Sequence, residues 1–216
     1  MDAKAFLFDM DGVLVDNCAY HVKAWLALAE KYGGRLTAEQ TVAWMGAPGR
    51  DYIARMFDPP PSRERADELL VEKEALYREI YRPHLVPREG LARLLSRARA
   101  AGVPCAIATG GSRANVDFVL DGLGMRGDFE CVVDSSQYVR GKPAPDCYLQ
   151  TASRLGVAPA DAVVFEDAVN GIQAAQAAGM RVAAITGTFT REALAPQSPT
   201  WLVDSFDELL DESTFR

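Results

Sequence analysis

At 216 residues the chain is long enough to bury a sizeable core, and its 49% hydrophobic and 25% charged residues exclude a disordered or collagen-like chain. A formal charge of −7 gives no broad cationic footprint, so neither nucleic acid nor an anionic membrane surface is expected as a partner, and an anionic substrate must be met by local cations or a metal. No cationic leader segment or membrane-length apolar run is seen, which sets the expectation of a cytoplasmic protein.

In chain order, Ala5-Phe6-Leu7-Phe8 reads as a short buried parallel strand that ends at Asp9-Met10-Asp11-Gly12. Residues 17–86 then break any strand rhythm. Four helical patterns follow one another there, including Val22, Trp25, Leu26 and Ala29, and later Leu69, Leu70, Leu76, Tyr77, Ile80 and Tyr81. This predicts an all-helical insertion, residues 17–86, in a core made of 1–16 and 87–216; Asp58-Pro59-Pro60-Pro61-Ser62 is a stiff turn inside it. Placed just after the acids of the first strand, such an insertion is suited to closing over a ligand and excluding water.

From Leu91 the pattern alternates. A helical stripe (Leu91, Leu94, Leu95, Ala98) precedes a strand at Val103–Ala108, and a helix from Arg113 to Leu123 precedes a strand at Cys131–Val133. A helix from Pro145 to Leu155 then leads to a strand at Ala162–Phe165, and one from Gly171 to Ala178 to a strand at Val182–Ile185. Trp201–Val203 could add an edge strand before a last short helix at Phe206–Leu210. The fold class is therefore α/β, a three-layer parallel-sheet core of Rossmann-like type with an inserted α-helical domain. Cys18, Cys105, Cys131 and Cys147 form no Cys-x-x-Cys pair and read as reduced core or near-core residues.

Polar clusters follow four of these strands. Asp9 and Asp11 lie two apart and could face one ligand; alone, a D-x-D-G turn is as compatible with a solvated acidic loop. Thr109-Gly110-Gly111-Ser112 opens a helix and can cradle a phosphate, or can be a plain turn with Ser112 as N-cap. Gly141-Lys142-Pro143 holds a lysine between stiff flanks, and Glu166-Asp167 adds two more acids. Asp9, a main-chain carbonyl and these acids offer hard oxygen ligands suited to Mg²⁺. Two carboxylates, a cradle, a cation and a metal site form the set that phosphoryl transfer needs, since that chemistry is mainly positioning and charge neutralisation.

In order and spacing, Phe8-Asp9-Met10-Asp11-Gly12-Val13, the Thr109 loop, Lys142-Pro143 and Glu166-Asp167 resemble the four motifs of the haloacid dehalogenase superfamily. The insertion further resembles the cap of its beta-phosphoglucomutase-like branch across Ala19-Tyr20-His21-Val22-Lys23-Ala24-Trp25. The resemblance implies that Asp9 attacks phosphorus to give an aspartyl phosphate, and that Asp11 protonates the leaving oxygen and then activates water. It implies that Thr109, the Gly110 amide and Lys142 hold the phosphoryl oxygens. Mg²⁺ would take Asp9, the Met10 carbonyl and Asp167, with Glu166 reaching it directly or through water. Substrate choice would rest in the cap on His21, Lys23, Arg50 and Arg78. His21 matches a cap-hinge histidine but could equally be a helix-surface residue. The loop Gly46-Ala47-Pro48-Gly49-Arg50 resembles a specificity loop or is a simple helix connection, and Lys23 and Arg78 also read as solvated faces.

The expectation is a monomeric Mg²⁺-dependent phosphatase acting on a small phosphorylated metabolite, a sugar phosphate or phosphoglycolate-like ester, with a sugar-phosphate mutase as the alternative. Mutases of this branch tend to carry threonine at the position of Asn17 and a further hydroxyl at that of Gly111, which favours hydrolysis here. Dehalogenation would leave Asp11 and the paired acids without a task. A non-catalytic module would not need Asp9, Asp11 and Lys142.

Overall fold

A computed structural model of the chain describes residues 3–44 and 47–211. The chain divides into two compact units, one made of the residues up to Asp16 and from Val86 onward, the other of Asn17–Leu85.

The first unit is built on six parallel strands, β1 Ala5–Phe8, β2 Cys105–Ala108, β3 Cys131–Val133, β4 Ala162–Glu166, β5 Arg181–Ile185 and β6 Trp201–Val203, in the order β3-β2-β1-β4-β5-β6. This is the Rossmann-like doubly wound order, whose switch point falls between β1 and β4, where ligands of open α/β sheets bind. Strands buried on both faces need near-continuous apolar runs, and β1, β2 and β4 are buried throughout.

Alternation along β1 supplies the two faces of the core. Ala5 and Leu7 pack with Ala108, Val133, Tyr148, Val164 and Ile172 on one side. On the other, Phe8 stacks on Phe165 at 4.4 Å and meets Phe129 and Phe206 edge-on or tilted, each such pair adding about 0.5–1.5 kcal/mol beyond its burial. The helices of this unit, numbered after the four of the other, are α5 Leu91–Ala100, α6 Arg113–Leu123, α7 Asp146–Leu155, α8 Val169–Ala177, α9 Arg191–Leu194 and α10 Phe206–Asp211. Pro104 lacks an N–H, and β2 accordingly begins at Cys105, two residues later than the apolar run suggests. Strand β4 runs one residue further than expected and ends on Glu166, which it buries completely.

In the second unit, α1 Cys18–Tyr32, α2 Ala38–Ala43, α3 Gly49–Met56 and α4 Arg63–Tyr81 pack without a strand among the described residues. Trp25, Leu28, Ala29, Tyr52, Ile53, Met56, Ala66 and Leu69 form its core, with Trp25 stacked on Tyr52 at 4.6 Å. Helix α2 starts with a capping box, Thr37 and Gln40 each bonding the other's backbone N–H, and Ser62 after the proline run accepts the Arg65 N–H to open α4. The buried stripe of α1 is Ala24, Trp25, Leu28 and Ala29, displaced from the expected one; Val22 and Leu26 are half-buried.

Candidate active site

Register brings the site together. Phe8 pairs with Phe165, and the Asp9 N–H extends that ladder to the Phe165 carbonyl at 3.0 Å, so Asp9 leaves β1 level with Glu166 at the end of β4. The ammonium of Lys142 reaches across to both, donating to Asp9 Oδ1 at 2.8 Å and to Glu166 Oε1 at 2.6 Å. Tyr148, fully buried on α7, donates its hydroxyl to the same Glu166 oxygen at 2.7 Å, and its ring lies 4.8 Å from the ammonium.

Glu166 is saturated. Its other oxygen accepts the N–H groups of Asp167 and Ala168 at 2.9 and 3.1 Å, which makes four bonds to one carboxylate. A Cβ on Gly171 would lie 1.8 Å from Glu166 Oε1, so only glycine lets α8 pass this close. Gly12 plays a similar part for Asp167. Its backbone has φ +76°, which glycine adopts freely, and a Cβ there would lie 1.8 Å from Asp167 Oδ2 and 2.6 Å from Thr188 Oγ1. Thr188, which the sequence reading overlooked, hydrogen-bonds the Asp167 carboxylate.

Asp9, Glu166 and Asp167 offer ligand atoms within 4.8 Å of one another, an acidic cluster able to hold a metal ion. Three carboxylates against one lysine leave two negative charges uncompensated in a buried place, and the titration of the group reflects it. Burial, with Glu166 and Asp11 nearby, pushes the Asp9 carboxyl up to about 7 against the pull of Lys142. Burial and the neighbouring Glu166 and Asp9 charges hold Asp167 well above the usual carboxylate range, and the Thr188 bond opposes them. For Lys142 burial works against the charge, yet Asp9 and Glu166 keep it well above an ordinary lysine. A divalent cation is the natural complement of such a donor set.

The Met10 carbonyl accepts the Val13 and Leu14 N–H groups at 3.3 and 2.8 Å as the chain turns after Asp9. Glu166 is fully hydrogen-bonded, while Asp9 and Asp167 retain acceptor capacity.

The residues expected to cradle a phosphate follow the neighbouring strand, β2. Thr109 is buried at the end of β2, its Oγ1 accepts the Gly111 N–H at 2.9 Å, and its own proton is left to donate elsewhere. A Cβ on Gly111 would lie 3.2 Å from Thr109 Oγ1 and 3.6 Å from Asp11 Oδ2, which brings the hydroxyl and the second acid onto one side of the loop. The Gly110 amide has no protein partner among the described residues, and Ser112 caps α6 at the Asn115 N–H. Two bonds from the following loop brace the cradle: Tyr138 donates to the Thr109 carbonyl at 3.1 Å and the Ser135 N–H to that of Gly111 at 3.1 Å.

The second unit holds the remaining candidates. His21 stacks on Tyr77 with ring centroids 3.8 Å apart, and its Nδ1 lies 2.7 Å from the ammonium of Lys73. An ammonium can only donate, so Nδ1 accepts and the imidazole carries its proton on Nε2. Asn17 is buried and donates its amide to the Tyr77 hydroxyl at 2.6 Å. Lys73, also missed in the sequence, bonds Glu74 at 2.9 Å and lies 5.0 Å from the centre of the Trp25 ring. Arg50 is occupied by Asp67 in a two-pronged pair at 2.6 and 2.8 Å. Lys23 is exposed above the Tyr20 ring, and Arg78 sits half-buried in the last turn of α4. Gly46 lies outside the described residues. Cys105 and Cys147 are buried, their thiols pushed up by burial to about 12 and about 11; Cys131 is half-buried and burial raises its thiol as well, and Cys18 is half-buried.

The model of the haloacid dehalogenase-like hydrolases matches residues 3–179. The chain is 33% identical over 174 residues to the fructose-1-phosphate phosphatase YqaB of Escherichia coli, covering 81% of this chain and 92% of that protein. It is 30% identical to the beta-phosphoglucomutase of Bacillus subtilis, covering 82% and 80%. It also matches, at 30% identity and with 95% of its own length, one fifth of the Arabidopsis thaliana protein Suppressor of Quenching 1. Among solved structures, a mutant of CbbY from Rhodobacter sphaeroides in complex with xylulose-(1,5)bisphosphate superposes with a TM-score of 0.86 at 27% identity, covering 96% of both chains.

Proposed function

The chain belongs to the haloacid dehalogenase-like hydrolases, and from that premise we propose that it is a Mg²⁺-dependent phosphatase of small phosphate monoesters, sugar phosphates foremost. The observation that carries this is the convergence of Asp9, Lys142 and Asp167 at the sheet's switch point, next to the Thr109 loop.

In this reading Asp9 Oδ2 attacks phosphorus in line with the departing alkoxide, and the aspartyl phosphate so formed is then hydrolysed. Lys142 keeps Asp9 oriented through Oδ1 and neutralises charge on the transferring group, while Glu166, anchored by four bonds, holds Lys142 in place. The Thr109 hydroxyl and the Gly110 amide receive phosphoryl oxygens. Asp11, beside Thr109, gives its proton to the leaving oxygen and afterwards takes one from the attacking water. Asp9, Asp167 and the Met10 carbonyl would hold the Mg²⁺, with Glu166 reaching it directly or through water, and the ion when bound supplies the missing positive charge and polarises a phosphoryl oxygen. The helical unit is proposed as the cap that selects the ester, and His21 as its polar residue closest in role to a gate.

Identity to both a phosphatase and a mutase makes the fate of the phosphoryl group the decisive readout. The test is a panel of sugar phosphates, phosphoglycolate and nucleotides with Mg²⁺, scoring free phosphate and isomer separately. Phosphate release that Asp9→Asn abolishes, in a protein that still melts cooperatively, supports the reading. Isomer formation primed by a bisphosphate with little phosphate released would replace it with the mutase.

A further inference from the structure

Arg88 has no place in the chemistry above, yet it ties its own segment to two loops of the core unit. Its backbone N–H donates to the Leu14 carbonyl at 2.9 Å, beside the segment that carries Asp9 and Asp11. One arm of its guanidinium donates to the Gly12 carbonyl at 2.6 Å and the other to the Thr186 carbonyl at 2.7 Å. The fork lies flat against Gly187, where a Cβ would sit 2.8 Å from Nη1 and 2.9 Å from Nη2. Gly12 follows Asp11 directly, and Thr186 stands two residues before Thr188, whose hydroxyl holds Asp167.

We infer that Arg88 is a positioning residue: its two-armed grip on Gly12 and Thr186 fixes the spacing between the Asp9–Asp11 turn and the loop whose Thr188 orients Asp167. The inference rests on the proposed phosphatase reading for its kinetic consequence and on geometry alone for the tie itself. Two carbonyls facing one cation from different loops suit a rigid planar fork whose arms hold them at a fixed spacing; a lysine at this position brings donors but no fixed fork, so the spacing between the carbonyls is no longer set. Gly12 packs against Asp167, so any drift of the turn moves the acid that Asp9 must share a cation with. A displacement of the order of 1 Å costs about 100-fold in rate where catalysis depends on positioning.

The experiment compares Arg88→Lys and Arg88→Ala with the parent protein by amide hydrogen exchange and by steady-state kinetics. The tie predicts faster exchange at residues 10–14 and at 186–188 together, in both variants. It predicts a kcat lowered about 10-fold in Arg88→Lys and about 100-fold in Arg88→Ala with KM nearly unchanged, and partial recovery of Arg88→Ala by added guanidinium ion. Should Arg88→Ala fail to fold, Arg88→Lys and the exchange measurement carry the test. Exchange that rises only around residue 88, or a loss confined to KM, overturns the inference. A parent protein without phosphatase activity overturns the proposed function instead, and the exchange at the two loops still decides whether Arg88 ties them.

Discussion

Lys142 at the strand tips and Lys73 in the helical unit are both withdrawn from solvent, with side chains 10% and 4% exposed, and their surroundings differ in kind. Lys142 sits between two carboxylates that are themselves nearly buried, in a pocket that still carries excess negative charge. Lys73 faces one partly solvated carboxylate, a neutral imidazole and the rings of Trp25 and Tyr77. The first arrangement holds an electrostatic imbalance that a cation would answer. The second satisfies a charge by hydrogen bonds and ring polarity and asks for nothing further.

The sharpest way to break this contrast is to remove each charge. Lys142→Met strands Glu166 and Asp9 without their cation, which should cost about 3–5 kcal/mol in the metal-free protein and lower turnover about 10³-fold. Denaturant unfolding and phosphate-release kinetics read both effects, and a variant within about 1 kcal/mol of the parent would show that the pocket is not under the strain described.

The next effect in size is pH dependence. With Asp9 raised from its ordinary 3.8 to about 7, the native state holds a proton that the unfolded chain releases near pH 4. The contribution of Asp9 to stability in EDTA should therefore be fully present below about pH 4, decline as pH rises, and be lost above about pH 7. Lys142, shifted upward, contributes throughout this window and begins to lose its share only at far higher pH. Mg²⁺ should restore stability at pH 8 and do little at pH 5, where protons compete for the carboxylates. Equal unfolding free energies at pH 5 and 8 in EDTA would contradict the charge excess.

Lys73→Met should move stability by no more than about 1 kcal/mol, because methionine keeps the ring contacts and Glu74 can turn to water. Any functional effect should then appear in kcat or KM without a change in melting. A loss as large as that of Lys142→Met would erase the distinction between the two lysines.

The same pair shows what could be read in the sequence. Asp9 and Thr109 directly follow short apolar strands, Glu166 ends one and Lys142 lies in the loop after β3, so their place at the carboxyl end of the sheet was legible from periodicity and order. Lys73 lies in a helix where Ala66, Leu69, Tyr77 and Tyr81 mark the buried stripe, and it fills the slot where an apolar residue belongs. A charged residue in an acidic, basic-rich helix gives no sign of burial, and the half-buried Leu70, Leu76 and Ile80 drew attention to the neighbouring face. Thr188 and Arg88 escaped for a different reason. Their contacts are to a carboxylate and to backbone carbonyls of loops distant in sequence, which spacing cannot reveal.

The smallest effect concerns Arg50, a cap candidate whose charge is answered by Asp67. Its pair with Asp67 is exposed on both sides, 49% and 45%, so water screens it and it should hold little of the fold together. Asp67→Ala should leave the melting temperature unchanged while freeing the guanidinium fork. If Arg50 serves substrates that carry a second anionic group, their KM should fall in this variant and that of simple monophosphates should stay put. A melting temperature lowered by several degrees, with both KM values unmoved, would make the pair a structural clasp of α3 and α4 and remove Arg50 from the substrate site.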